Sequence, residues 1–134
     1  LMVIDGAYAE YIENFDGGLS FVENYNNLII LRTFSKIYGL AALRIGWSYS
    51  SNSITQILNR VRGPFNVSSP AIAAATAAVL DCDYTRHCVA ENLKNREWLS
   101  KQLKQLGLST TNSKANVLVV DYGSENQANK AFDF

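Results

Sequence analysis

Short apolar runs separated by polar turns dominate the first part of the chain. The runs at 1–5 and 28–31 each end at polar residues, a pattern that predicts buried strands. The segment between them is long enough for a crossover connection, so we predict that these two strands run parallel. A third strand is predicted around Leu43, Ile45 and Trp47. It follows a link of only about ten residues, too short for a crossover, and should therefore run antiparallel to its predecessor.

Helical spacing takes over in the second part of the chain. An amphipathic helix is predicted over 53–62, and an alanine-rich helix over 71–80 with Ser69 as its N-cap. A long helix should begin after Asp83, its predicted N-cap, and end at Gly107, its predicted C-terminal cap. A strand at 117–120 and a helix over 128–134 complete the pattern. In the first connection, Ser20 and Glu23 have the spacing of a capping box.

Candidate chemistry follows directly after the second strand, at Lys36. Its neighbours are apolar, which predicts partial burial and so favours the neutral amine that a nucleophilic lysine needs. The neighbours are Phe34, Ile37, Tyr38 and Leu40. Thr33, Ser35 and Arg44 are donors of the kind that bind a phosphate dianion. Together these residues suggest pyridoxal 5'-phosphate (PLP), and the alternative is a turn whose Lys36 and Arg44 simply reach solvent.

Composition excludes several other classes. Lysine and arginine together number 12, as do aspartate and glutamate, so the charge balance favours neither nucleic acid nor an acidic partner. No apolar run approaches the roughly 18 residues that span a bilayer. Cys82 and Cys88 flank the single histidine, His87, without zinc-site spacing, and we predict reduced thiols and no metal site. The simplest expectation is a cytoplasmic protein.

Four segments resemble class I/II (fold type I) PLP-dependent aminotransferases, most closely the histidinol-phosphate aminotransferase family. The segment 32–46, Arg-Thr-Phe-Ser-Lys-Ile-Tyr-Gly-Leu-Ala-Ala-Leu-Arg-Ile-Gly, is similar to that family's lysine motif. The others are Asp-Gly-Ala-Tyr-Ala-Glu-Tyr at 5–11, Pro-Phe-Asn-Val at 64–67 and Ser-Lys-Ala-Asn at 113–116. They occur in the family's order and extend over nearly the whole chain.

The resemblance implies a role for each candidate site residue. Lys36 would form the Schiff base with PLP and carry the proton during catalysis. Asp5 would pair with the pyridinium nitrogen, and Tyr8 would donate to the ring 3-oxygen. Thr33, Ser35 and Arg44 would bind the phosphate, as the residues themselves also suggest. Without the lysine motif, Asp5 would be interpreted as a turn residue at a strand end and Tyr8 as a half-buried aromatic.

The resemblance also implies an organisation and a reaction. Residues 1–82 would belong to the large PLP-binding domain, an α/β fold with a mixed, mostly parallel sheet. Residues 83–107 would be a long interdomain helix, and 108–134 the start of a small α+β domain. We expect an internal segment of a longer protein, which lacks an upstream phosphate loop and a downstream arginine for the substrate carboxylate.

The implied reaction is transamination in histidine biosynthesis. It would pair histidinol phosphate and imidazole-acetol phosphate with glutamate and 2-oxoglutarate, in a homodimer. An aromatic aminotransferase, a threonine-phosphate decarboxylase or a non-catalytic α/β module remain alternatives. The chain contains neither a GxGxxG nor a GxxxxGK sequence, which disfavours a nucleotide-binding module.

Overall fold

A three-stranded sheet forms the centre of the N-terminal region in the computed structural model, which describes residues 1–133. Its strands are β1 (Met2–Asp5), β2 (Leu28–Thr33) and β3 (Gly46–Ser50), with β2 in the middle. β1 pairs with β2 in parallel, and β3 pairs with β2 antiparallel. Both predicted strand directions are confirmed, and the chain is a mixed α/β fold.

The third strand begins later than the apolar pattern predicts. Residues Ala41–Leu43 form a 3-10 helix, and Arg44 adopts a left-handed backbone conformation with φ of 51°. The chain therefore turns before it enters β3 at Gly46. Of the predicted strand residues, Leu43 lies in the 3-10 helix and Ile45 directly precedes the strand.

The connection from β1 to β2 covers one face of β2. It contains two 3-10 helices, Ala9–Tyr11 and Leu19–Glu23. Side chains from the connection and from both strands form the hydrophobic core, which comprises Ile4, Leu19, Val22, Leu28 and Ile30. Because strand side chains alternate between faces, the next residue on the core side of β2 after Leu28 and Ile30 is Arg32. This charged residue is only 8% exposed.

Three helices follow the sheet, namely α1 (Asn52–Val61), α2 (Ser69–Leu80) and α3 (Cys82–Gln105). Two predicted caps are wrong by one or two residues. Ser68 caps α2, since its Oγ accepts a hydrogen bond from the amide of Ala71 at 3.3 Å. At the start of α3, Asp81 rather than Asp83 accepts from the amide of Tyr84, at 2.9 Å. In both places a neighbouring residue of the same type competes for the cap.

The chain divides into two compact units, Leu1–Val89 and a second that begins at Ala90. The second contains the end of α3, then β4 (Ser109–Thr110), β5 (Val120–Asp121) and α4 (Glu125–Phe132). β4 and β5 pair antiparallel. The strand predicted at 117–120 is therefore shorter and starts at its last residue. The predicted final helix starts three residues earlier, after the N-cap Ser124, and Phe134 lies outside the described residues.

Among residues 1–133, no helix combines the length and the apolar character that crossing a membrane would require.

Candidate functional site

The candidate site lies where β1 and β2 end. In the parallel pair, Asp5 is in register with Leu31, and the amide of Gly6 donates to the Leu31 carbonyl at 2.9 Å. The carboxyl ends of the two strands therefore meet at one edge of the sheet, the edge where open α/β sheets bind ligands. The segments that begin at Asp5 and at Thr33 carry five of the six predicted site residues, and Arg44 is the sixth.

A tight turn carries the residues that follow β1. Asp5 is exposed, and its Oδ1 accepts a hydrogen bond from the amide of Ala7 at 3.0 Å. This bond within the turn sets the path of the chain toward Tyr8, which is half-buried. The Tyr8 ring lies 6.3 Å from the ring of Tyr11, measured between centroids. The turn thus places the Asp5 carboxylate and the Tyr8 phenol, three residues apart in the chain, at the same edge of the sheet.

The loop after β2 carries Lys36. Thr33 Oγ1 accepts from the amide of Ser35 at 3.0 Å, which bends the chain as the strand ends. Gly39, with φ of 68°, closes the next turn by donating from its amide to the Lys36 carbonyl at 3.0 Å. In this loop, Lys36 Nζ lies 5.2 Å from the centre of the Tyr8 ring, within cation–π range. The fold therefore brings the predicted lysine and tyrosine together.

The predicted burial of Lys36 is wrong. Its neighbours Phe34 and Ile37 are themselves buried, whereas Lys36 is exposed. The apolar residues pack into the protein and leave the amine at the surface. Burial therefore gives no support to Lys36 as the reactive amine, and its support is its position beside Tyr8.

Arg44 enters the site from the loop before β3. Thr33 is in register with Gly46, and the amide of Phe34 donates to the Ile45 carbonyl at 3.2 Å. Arg44 therefore reaches the end of the sheet at which Thr33 and Ser35 lie. Its side chain is exposed, and Nη1 donates to the Ala41 carbonyl at 2.7 Å. The guanidinium has further donors, so this end of the sheet can bind an anion.

Two residues that the sequence analysis does not predict lie next to these loops. Arg32 Nη1 is 3.0 Å from Glu10 Oε1, and both side chains are largely shielded from solvent. Arg32 Nη2 also donates to the Asp16 carbonyl at 2.6 Å. The alternation of β2 places Arg32 on the core side after two apolar residues, and this is the sequence signal for a buried charge that needs a partner.

Two tyrosines beside the site have shifted acidities. Burial raises the pKa of Tyr11, and the nearby Cys88 and Tyr8 add to the effect. Burial also raises the pKa of Tyr38, with Glu10 contributing in the same direction. The Tyr38 ring packs against Phe34 with a centroid distance of 5.0 Å. Both phenols therefore stay protonated at neutral pH and can act only as neutral hydrogen-bonding or packing groups.

Comparison with known proteins defines the class. Residues 1–133 match the model of the family "Aminotransferase class I and II", and the chain belongs to that family. The resemblance inferred from the sequence motifs is thus confirmed.

The individual relatives narrow the comparison. The chain is 50% identical over 134 residues to histidinol-phosphate aminotransferase from Dinoroseobacter shibae, and 48% identical over 134 residues to that from Ruegeria sp.. In both cases the match covers 100% of this chain and 37% of the relative. The chain therefore spans little more than a third of the length of these relatives.

Solved structures agree with this assignment. Histidinol-phosphate aminotransferase from Sinorhizobium meliloti, in complex with pyridoxal-5'-phosphate, superposes with a TM-score of 0.90 at 32% identity. The match covers 98% of this chain and 36% of that structure. A second structure, described as a putative histidinol-phosphate aminotransferase from Erwinia carotovora, gives a TM-score of 0.79 at 25% identity over 87% of this chain.

Proposed function

We propose that this chain supplies the lysine-bearing part of the active site of a PLP-dependent aminotransferase. The observation that carries the proposal is the placement of Lys36 Nζ 5.2 Å from the Tyr8 ring, at the edge where β1 and β2 end. Asp5 leads into the same turn as Tyr8, and Thr33 leads into the same loop as Lys36. Family membership supports this interpretation independently of the geometry.

The chemistry of these side chains fits PLP. Asp5, Lys36 and Arg44 are exposed, so a ligand can reach them. The side-chain hydrogen bonds of Asp5 and Arg44 leave one carboxylate oxygen and several guanidinium donors available. Arg44, Thr33 and Ser35 would hold the phosphate, Asp5 the ring nitrogen, and Tyr8 the ring 3-oxygen.

Each residue would then have a defined task. When bound, PLP supplies an electron sink for the bond that breaks at the substrate α-carbon. The Lys36 amine would hold the cofactor covalently and, once released, would take the proton from that α-carbon and deliver it to the C4' carbon of the cofactor. The Asp5 carboxylate keeps the proton on the ring nitrogen, because a nearby negative charge favours the charged form. Tyr8 orients the ring by donating its phenolic proton.

The substrate pair in the proposal is histidinol phosphate and imidazole-acetol phosphate, with glutamate and 2-oxoglutarate. Its support is that the most similar relatives named above are histidinol-phosphate aminotransferases. An aromatic aminotransferase or a threonine-phosphate decarboxylase would use the same lysine site. Because the chain spans 37% of those relatives, we propose the activity for a whole enzyme and not for these residues alone.

Three further features stay predictions, of which two rest on the family resemblance and the location rests on the composition of the chain. They are a homodimeric whole enzyme, a cytoplasmic location, and the division into a large domain over 1–82, a linking helix over 83–107 and a small domain from 108.

A hybrid enzyme provides the direct test. In it, the matching segment of the Dinoroseobacter shibae relative is replaced by residues 1–134 of this chain. We expect the hybrid to bind PLP and, after borohydride reduction, to carry the label on Lys36 by peptide mapping. Lys36→Ala should lose both the label and turnover, whereas Lys94→Ala, which changes an exposed lysine of α3, should keep both. A label on Lys94 or Lys101, or a folded hybrid that takes up no PLP, would contradict the proposal.

A further inference from the structure

A buried ion pair connects the two halves of the candidate site but has none of the roles assigned above. Arg32 Nη1 lies 3.0 Å from Glu10 Oε1, with side chains 5% and 15% exposed. Arg32 is the residue before Thr33, at the start of the loop that carries Lys36. Glu10 belongs to the 3-10 helix Ala9–Tyr11, which follows directly after Tyr8. The pair therefore joins the Tyr8 turn to the Lys36 loop.

The surrounding chain is shaped around the Arg32 guanidinium. Gly17 has φ of 67°, and a Cβ added there would lie 2.1 Å from Arg32 Nη2. A Cβ on Gly6 would lie 3.0 Å from Arg32 Nε. The ring centre of Trp47, on the neighbouring strand β3, lies 5.7 Å from Arg32 Cζ. The guanidinium thus occupies space that side chains at 6 and 17 would otherwise fill.

Stability alone is a poor explanation for this pair. Within residues 1–133, Glu10 Oε2 and Arg32 Nε are buried and have no hydrogen-bond partner. Taking two charges out of water is costly, and their attraction offsets that cost only when the remaining polar atoms are also bonded. A buried pair that is incompletely bonded is better explained by the conformation it specifies.

We propose that Arg32 and Glu10 are positioning residues that fix the Tyr8 turn relative to the Lys36 loop. The inference rests on the proposed function, since it concerns the geometry of the same lysine and tyrosine. Without the pair, the Tyr8 turn keeps its backbone hydrogen bonds but loses its side-chain link to β2. Misplacement of reacting groups by about 1 Å can cost roughly a hundredfold in rate, so a small shift here would be measurable.

The test compares two glutamates of the same segment in the hybrid enzyme. Glu10→Gln keeps the shape of the side chain and removes its charge, and Glu13→Gln makes the same change at an exposed position. The first measurement is the rate at which PLP bonds to Lys36 in the cofactor-free hybrid, followed by visible absorbance. We expect Glu10→Gln to slow this rate about tenfold, which corresponds to the loss of about one charge-assisted interaction. Glu13→Gln should not change it.

Steady-state kinetics provide a second readout. In Glu10→Gln, kcat should fall about tenfold while KM for glutamate stays within about twofold, since the proposed role of the pair involves no contact with substrate. Glu10→Asp keeps the charge and should recover part of both the bonding rate and kcat. If Glu10→Gln and Glu13→Gln behave alike, or if Glu10→Asp recovers nothing relative to Glu10→Gln, the positioning role is wrong.

A variant that weakens the core without touching the ion pair separates positioning from general destabilisation. Ile30 is fully buried in the same strand, and Ile30→Val removes one methylene from the core. It should lower the melting temperature without changing the rate of PLP bonding to Lys36. If Ile30→Val slows PLP bonding to Lys36 as much as Glu10→Gln does, the ion pair affects the site only through general stability. The proposed function fails separately, if the hybrid without any of these substitutions forms no bond between Lys36 and PLP.

Discussion

The residues with proposed chemical roles and the residues that hold them in place differ in burial and in reach. Asp5, Lys36 and Arg44 are exposed, and the side-chain hydrogen bonds of Asp5 and Arg44 extend only two and three residues along the chain. Arg32 is 8% exposed, and it bonds to a carbonyl 16 residues away. Reactive groups must be reachable by a ligand, so their position has to be fixed by a buried set of residues behind them.

This difference predicts that substitutions in the two sets have different signatures. A change in the exposed set, which is Asp5, Lys36 and Arg44, should alter cofactor binding or turnover and leave folding nearly intact. A change in the buried set, which is Arg32, Glu10 and Gly17, should destabilise the end of the sheet and alter the site through it. Substitutions in the hybrid enzyme test that separation.

Gly17→Ala should be the most damaging substitution. The new Cβ would lie 2.1 Å from Arg32 Nη2, and φ of 67° is unfavourable for alanine. Backbone strain of roughly 1–3 kcal/mol adds to displacement of a buried ion pair, so we expect a loss of at least about 3 kcal/mol in the free energy of unfolding. Urea denaturation measures this loss.

Two other glycines serve as controls for Gly17→Ala. Gly107 also has positive φ but no atom within 4 Å of an added Cβ, and Gly63 has neither constraint. Gly107→Ala should therefore show the strain alone, and Gly63→Ala almost no loss. If Gly17→Ala is no worse than Gly107→Ala, the chain is not shaped around the guanidinium.

Asp5→Asn should have the next largest effect, on rate rather than stability. Asparagine can still accept the hydrogen bond from the Ala7 amide, so the turn should persist. The negative charge is lost, and the ring nitrogen would no longer be held protonated. We expect kcat to fall about a hundredfold, equivalent to about 2.7 kcal/mol, with PLP still bonded to Lys36.

Two variants sharpen the Asp5 prediction. Asp5→Glu keeps the charge, so its kcat should fall less than that of Asp5→Asn. Asp121→Asn is the matched control, because Asp121 accepts from the Gly123 amide at 2.8 Å in the same local geometry but in the second unit. Turnover at the native rate in Asp5→Asn would make Asp5 a turn residue only.

Arg44→Ala should weaken PLP binding with little effect on folding. A charge-assisted hydrogen bond to a phosphate contributes about 1.5–3 kcal/mol, so the dissociation constant should rise roughly tenfold or more. Equilibrium titration of the cofactor-free hybrid measures it. The dissociation constant of Arg44→Lys should lie between those of the unsubstituted hybrid and Arg44→Ala, since lysine keeps the charge without the planar fork. Arg60→Ala, at an exposed position of α1, should bind PLP normally, and the same affinity in Arg44→Ala would remove Arg44 from the site.

The exposed set is also the one that sequence reasoning can find. Connection lengths predicted both strand directions, and the parallel pairing brings the segments after Asp5 and Thr33 to one sheet edge. The burial of Lys36 was mispredicted because tertiary packing, not adjacency in sequence, decides which neighbours turn inward. The observed N-cap differs from the predicted one at α2 and α3, where two candidate cap residues stand close together, as Ser68 and Ser69 do.

The buried set is harder to predict, since its members are far apart in sequence. Arg32 occupies a core position of β2, and a charge there is stable only with a partner. The partner, Glu10, lies across the crossover connection, and nothing in the local pattern of either residue identifies the other. The same holds for Gly17, whose need for glycine depends on where the Arg32 side chain ends.

Substitution of Asp16 should give the smallest effect, because Asp16 has no proposed chemical role and contacts Arg32 through its backbone carbonyl. Its carbonyl accepts from Arg32, but its exposed carboxylate accepts from the amides of Gly18 and Ser20, at 2.7 and 2.9 Å. Asp16 thus takes the capping role predicted for Ser20 and Glu23, since Gly18 and not Ser20 precedes the helix Leu19–Glu23.

The capping bonds make the Asp16 contribution pH-dependent. Hydrogen bonds from Ser20, and then from Gly18, lower the pKa of Asp16 below its ordinary value of 3.8. A carboxyl with a lowered pKa in the folded state stabilises the fold above its unfolded pKa, and this stabilisation disappears as the pH falls through the folded value. Asp16→Asn should therefore lower the melting temperature slightly near neutral pH, and this difference should shrink as the pH falls below 3.8 and through the lower pKa of folded Asp16. Glu13→Gln provides the control for a lost surface charge.

Because asparagine leaves the backbone carbonyl of residue 16 in place, the rate of PLP bonding to Lys36 should not change in Asp16→Asn. A slower rate in Asp16→Asn would show that the cap also helps to hold Arg32, and that the exposed and buried sets are not separate at this residue.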